Sequence, residues 1–139
     1  MPRKDIYHEC VKNALIKDGW VITHDPFRLD LEDDLDLYPD LGAEKVIVAE
    51  RATEKIAVEV KSFRGQILQR DFYEALGQYD NYSIALAEIE PERSVVLAIP
   101  LTAYETFFQK QFIKKVIAVK RIQLLVYDVD NQTITSWKR

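Results

Sequence analysis

The sequence predicts an α/β fold, a central mixed β-sheet flanked by helices, and three observations predict it. Residues Leu68 to Glu88 keep apolar positions at helical spacing over nearly six turns. The run SVVLAIP, Ser94 to Pro100, is almost continuously apolar, as in a strand covered on both faces. The stretch IAVEVKSF, Ile56 to Phe63, alternates, with Ile56, Val58 and Val60 on one side and Ala57, Glu59 and Lys61 on the other.

The remaining elements follow in chain order. Asp5 is a suitable N-cap for a first helix in which Tyr7, Cys10, Val11, Ala14 and Leu15 share a face until Gly19 stops it. WVITH, Trp20 to His24, reads as a short strand closed by Asp25-Pro26, and Leu29 and Leu31 hint at another. Lys45 to Arg51 and Lys55 to Phe63 read as an antiparallel hairpin joined by Ala-Thr-Glu. Pro91 ends the long helix, and a helical segment carrying Tyr104, Phe107, Phe108 and Phe112 follows the Ser94 strand. Ile122 to Val129 and Thr133 to Trp137 close the sheet, with Asp130-Asn131 as the turn. Strands that alternate with helices in this order make one α/β domain over residues 1–139.

Composition narrows the class. A chain of 139 residues with 47% hydrophobic content suits one core and is too short for two. The start, MPRKDIYHEC, lacks the apolar core of a signal peptide, and no apolar run approaches the roughly 18 residues of a membrane span, so a cytoplasmic, membrane-free protein is expected. The single cysteine, Cys10, rules out an internal disulfide and reads as a small buried thiol. The net charge of -4 argues against coating nucleic acid by charge alone. Its distribution is uneven: ten acids against three bases from Asp25 to Glu54, then five bases against Glu105 alone from Leu101 to Arg121. That pattern suits a cation site beside a surface that meets phosphates, and also two solvated faces.

The chemistry concentrates on Glu59 and Lys61. Burying a carboxylate and an ammonium costs several kcal/mol per ion unless each is paired or bound. The two can pair with each other. Asp40, delivered just before the strand that neighbours Glu59, adds a second carboxylate at a strand spacing of about 5 Å. Two carboxylates so close repel unless a cation separates them, and a hard divalent cation, Mg²⁺ or Mn²⁺, suits oxygen ligands. Asp40 and Glu59 are the expected metal ligands, and Lys61 the residue that orients water or offsets developing charge. Glu44 competes with Asp40 if the strand starts earlier. His8 and His24 lack a partner pattern for zinc or a nucleophilic triad.

Pro39-Asp40, eighteen intervening residues and then Glu59-Val60-Lys61 resembles the PD-(D/E)XK motif of restriction-endonuclease-like nucleases. Gln78 and Tyr82, four apart on the long helix, resemble the Q-x-x-x-Y signature of the branch containing RecB and lambda exonuclease. Glu9 lies on the first helix, where that superfamily often has another metal-directed acid. Over nearly the whole chain, DLGAEKVIVAE, IAVEVKSF and ALGQYDNY are similar to the XisH family, the fdxN element excision controlling factor proteins of cyanobacteria. This resemblance implies a three-layer restriction-endonuclease-like fold, with Asp40, Glu59 and Lys61 as catalytic residues and Glu9, Gln78 and Tyr82 in support. It further implies a role in excising a DNA element alongside a site-specific recombinase and an XisI-type partner. Two functions stay open: a metal-dependent deoxyribonuclease, and a non-catalytic regulator that keeps the fold and binds a partner protein or DNA. A homodimer would supply a more continuous basic surface than one chain.

Overall fold

The computed structural model describes residues 3–32, 34–47, 52–63 and 68–139. In chain order the elements are α1 (Arg3–Lys17), β1 (Val21–His24), β2 (Leu29–Leu31), β3 (Leu35–Leu37), β4 (Leu41–Ile47), β5 (Ala52–Val60), α2 (Leu68–Ile89) and β6 (Arg93–Pro100). There follow α3 (Leu101–Glu105), a 3₁₀ turn (Phe107–Gln109), α4 (Gln111–Lys120), β7 (Leu124–Asp128) and β8 (Thr133–Lys138). Six strands form one mixed sheet in the order β1-β4-β5-β6-β7-β8, while β2 and β3 make a separate antiparallel ribbon. The β5–β6 and β6–β7 pairs are parallel, and the other pairs of the large sheet are antiparallel.

The alternation in β5 sorts its residues between two cores. Ile56, Val58 and Val60 pack with Val96, Ala98, Leu125 and the α1 residues Tyr7, Cys10, Val11 and Leu15. Ala57, Val95, Leu97 and Ile99 pack on the opposite face against Phe72, Ala75, Tyr79, Tyr82 and Leu86 of α2. Phe107 and Phe108 complete that second core with edge-to-face contacts to Phe72. Cys10 is a buried free thiol whose Sγ points to the carbonyls of Asp128 and Val129. No helix among the described residues is long and apolar enough to cross a membrane.

Several boundaries differ from expectation. Helix α1 begins at Arg3, ahead of the expected cap at Asp5. Strand β4 begins at Leu41, earlier than the expected Lys45, and residues 48–51 of the expected strand lie outside the described residues. Ala52, Thr53 and Glu54, expected as the hairpin turn, instead pair with Ile47, Val46 and Lys45. The early start was masked because Gly42 and Ala43 have weak strand propensity. The backbone at Gly42 has to be bare: a Cβ there would stand 2.7 Å from His24 Nδ1 and 2.9 Å from the Phe27 ring, which stack on each other. The expected helix after Ser94–Pro100 breaks into α3, the 3₁₀ turn and α4, because Thr106 leaves helical geometry at φ −116 and ψ −84. Strand β5 ends at Val60, so Lys61 lies just beyond it and Phe63 turns the chain with a positive φ of 52.

Candidate functional site

Register places the first carboxylate. Leu41 pairs with Val58, so Asp40, one residue earlier, comes level with the end of β5. Its Oδ2 accepts the backbone N–H of Val60 at 2.8 Å, which fixes it to the end of β5, between Glu59 and Lys61. The segment leading into it is also tied down. Pro39 O accepts the Phe27 N–H at 2.9 Å, and Tyr38 O accepts the Tyr82 hydroxyl at 3.3 Å.

Glu59 extends toward the α2 side of the sheet and is 5% exposed. One of its oxygens, Oε1, is buried without a hydrogen-bond partner, and the other lies 3.7 Å from Lys61 Nζ. Burial, then the proximity of Asp40, pushes its carboxyl up to about 8, which Lys61 only partly opposes. Tyr82 is buried beside it, and burial followed by the charge of Glu59 raises the phenol well above its ordinary range.

Lys61 is held at both ends. Its N–H donates to Ala98 O at 3.0 Å and its carbonyl accepts the Tyr127 hydroxyl at 3.2 Å. Its ammonium reaches Glu74 Oε1 at 3.0 Å. Residues from α1, the Asp40 segment, β5 and α2 enclose a cavity of about 370 Å³ that Tyr7, His8, Asp40, Glu59, Lys61 and Gln78 line, with Asp71 and Glu74 also on its wall. Gln78 Oε1 is a second buried oxygen without a donor.

The structure therefore gathers Asp40, Glu59, Lys61 and Gln78 at one cavity, with Tyr82 beneath it. It does not bring in Glu9, which is exposed on α1. His8 is there instead, because one residue turns a helix by about 100° and His8 follows the buried Tyr7 inward. Its Nδ1 lies 3.8 Å from Asp40 Oδ1, and its Nε2 shares a 2.6 Å hydrogen bond with Asp25. Burial pushes Asp25 up, but the hydrogen bonds from Lys12 and His8 outweigh it and leave that carboxyl below its usual range. Sequence reasoning assigned His8 no role, and nothing in its local spacing marks it. Asp71 and Glu74 were missed too, although extending the Gln78 face backward by one and two turns reaches both. The side chain of Glu44 lies outside the described residues. Among the described residues no group of three or more His, Cys, Asp or Glu side chains is arranged to hold a metal ion.

Fold and cavity together define an α/β protein with a helix-flanked mixed sheet and a buried carboxylate pair beside a lysine at the carboxyl end of a central strand. The chain belongs to the XisH family, whose model, described as XisH protein, matches residues 1–135. It is similar in structure to an XisH family protein from Nostoc punctiforme PCC 73102, with a TM-score of 0.86 and 44% identity over 97% of this chain and 100% of that one. An fdxN element excision controlling factor protein from Anabaena variabilis is equally similar, with a TM-score of 0.86 and 44% identity over 97% of this chain and 99% of that one. No curated protein matches the chain.

Proposed function

We propose that this chain is an excision controlling factor whose cavity is a metal-dependent endonuclease-like site of the PD-(D/E)XK type, acting on DNA by phosphodiester hydrolysis. The observation that carries the reading is Glu59: a carboxyl 5% exposed, with one oxygen lacking any donor, pressed against Asp40. A scaffold gains nothing from that arrangement, since the same strand position filled by an apolar residue would avoid the burial cost.

The residues present fit a hard divalent cation. The orphaned Glu59 Oε1 and the Oδ1 edge of Asp40 are oxygen donors, and two carboxylates are few enough to suit Mg²⁺ or Mn²⁺, Mg²⁺ in particular retaining several of its waters. Such a cation, when bound, supplies a water of lowered pKa and stabilises charge on a phosphoryl oxygen. Asp40 and Glu59 would hold it. Lys61, fixed through Ala98 and Tyr127, orients the attacking water and offsets negative charge as the water oxygen bonds to phosphorus and the P–O bond to the leaving strand breaks, the water giving its proton to bulk solvent and the leaving oxygen taking one up from it. The Gln78 carbonyl oxygen faces the same cavity and can accept a hydrogen bond from water or a sugar hydroxyl. By family resemblance, an XisI-type protein and a site-specific recombinase are the partners in excision.

A second reading, a non-catalytic regulator, is favoured by one specific contact. Glu74 already occupies Lys61 at 3.0 Å, and Asp71 and Glu74 add negative charge to a cavity that a phosphate would have to enter.

Calorimetry with Mg²⁺ and Mn²⁺ on the parent protein, Asp40→Ala and Glu59→Ala separates the two, with nicking and exonuclease assays on the same samples and on Lys61→Ala. The nuclease reading expects binding lost in both carboxylate variants and cleavage lost in all three. An absence of metal binding in the parent protein leaves the regulator.

A further inference from the structure

We infer that the outer face of α2 is a two-fold interface with a second copy of this chain. The pointer is Gly77, in the middle of a 22-residue helix. A helix-interior glycine is less stable than alanine, and this one has no positive φ that would require it. Apart from its own helix, no described atom lies within 4 Å of where a Cβ would stand. Nothing inside the chain uses the missing side chain, whereas a helix approaching from outside would. Arg70, Tyr73, Gly77, Asn81 and Ile84 recur at helical spacing as one exposed stripe, with Tyr73 55% and Ile84 65% exposed.

The layer on either side of that stripe carries the same signature. Of the ten large hydrophobic side chains exposed among the described residues, seven lie on these elements: Tyr73, Ile84 and Ile89 on α2, Leu35 on the ribbon and Tyr38 just after it, and Phe112 and Val119 on α4. Asp80 and Tyr82 point about 200° apart on the helix, so their partners stand on opposite flanks. Tyr82 meets Tyr38 on the ribbon side, and Asp80 pairs with Lys120 of α4 at 3.1 Å.

The flanks have opposite charge. The ribbon exposes Asp30, Glu32 and Asp34 against a single base, Arg28, which pairs with Asp30 and Asp36, and α4 exposes Lys114 and Lys115 between Phe112 and Val119. A two-fold axis lying roughly along α2 near Gly77 exchanges the flanks, which sets the acidic ribbon of each copy over the basic α4 of the other. An axis perpendicular to the helix would instead oppose ribbon to ribbon. Charge complementarity therefore selects the arrangement with the two α2 helices running in the same sense, a closed isologous contact. In it both cavities open at the same end of the dimer.

Sedimentation of the full chain over a concentration series, at low and high salt, reads this directly. A monomer–dimer equilibrium that weakens with salt is expected, with Gly77→Leu and Lys115→Glu each raising the dissociation constant about tenfold or more. Glu32→Lys should restore part of what Lys115→Glu loses. Gly77→Cys should form a disulfide-linked dimer under mild oxidation, Cys10 being buried, while Ile16→Cys on the outer side of α1 should not. Circular dichroism on each variant checks folding. A chain that stays monomeric throughout, a dimer indifferent to Gly77→Leu and Lys115→Glu, or cross-linking equal at both engineered positions overturns the inference. None of these readouts depends on nuclease activity, so the cavity's role and the interface stand or fall separately.

Discussion

The Asp40 carboxylate accepts the backbone N–H of Val60 at 2.8 Å, and that one bond ties the acid before β4 to the end of β5. It makes the position of Asp40 relative to Glu59 a property of the sheet rather than of a loop. One carboxylate oxygen is consumed by the backbone, and the other faces the cavity.

Asp40→Ala should leave the Val60 N–H buried without an acceptor and destabilise the protein by about 1–3 kcal/mol. Asp40→Asn keeps an acceptor and removes the second of the two causes that raise Glu59, so it should cost much less and bring the Glu59 carboxyl part of the way down from about 8, with burial still holding it above its ordinary value. Urea unfolding of both variants, with carboxyl titration by NMR on Asp40→Asn, tests the pair.

Stability should depend on pH through Glu59. Its carboxyl keeps a proton up to about pH 8 when folded, but only to about 4.5 when unfolded. Between those values the folded state binds more protons, so unfolding free energy falls as pH rises across that window. The contribution is fully present below pH 4.5 and lost above 8. Glu59→Gln should flatten the slope, and Mg²⁺ should flatten it too if the cation binds there. Denaturant midpoints from pH 5 to 9 in chelator, then in metal, give the comparison; an unchanged slope in Glu59→Gln would remove Glu59 as its source.

Glu74 is 60% exposed at the side chain, so its pair with Lys61 adds little to stability. Glu74→Gln should shift the unfolding free energy by less than about 1 kcal/mol. On the proposed nuclease reading, releasing Lys61 from Glu74 and removing a negative charge from the cavity mouth should tighten duplex DNA binding severalfold at low salt, read by fluorescence anisotropy. Binding that does not change would mean that phosphates never reach Lys61.

Gly42→Ala sets a methyl against His24 and Phe27 at 2.7 and 2.9 Å. Both rings are held by their mutual stacking, so the strain should cost about 1–3 kcal/mol. Thermal unfolding measures it, and a neutral result would mean that β1 yields easily at that corner.

Much of this protein follows from local pattern. The helical period of α2, the apolar run of β6 and the alternation of β5 are properties of neighbouring residues, and each produced the element it promised. Asp40, Glu59, Lys61 and Gln78 could be named in advance because their spacing resembles a known motif, and the structure does bring them to one cavity. What sequence could not supply was anything that depends on how elements meet. The start of β4 at Leu41 is set by rings from β1 and the loop after it closing over Gly42, against the weak strand preference of Gly42 and Ala43. The exchange of Glu9 for His8 rests on which side of α1 faces the sheet at its first turns. The grip of Glu74 on Lys61 joins α2 to the end of β5 across thirteen positions of the chain, beyond the reach of any local period. Periodicity and propensity act over a few residues and are written in order; charge pairing, steric closure and burial act through space and are decided only when the layers pack.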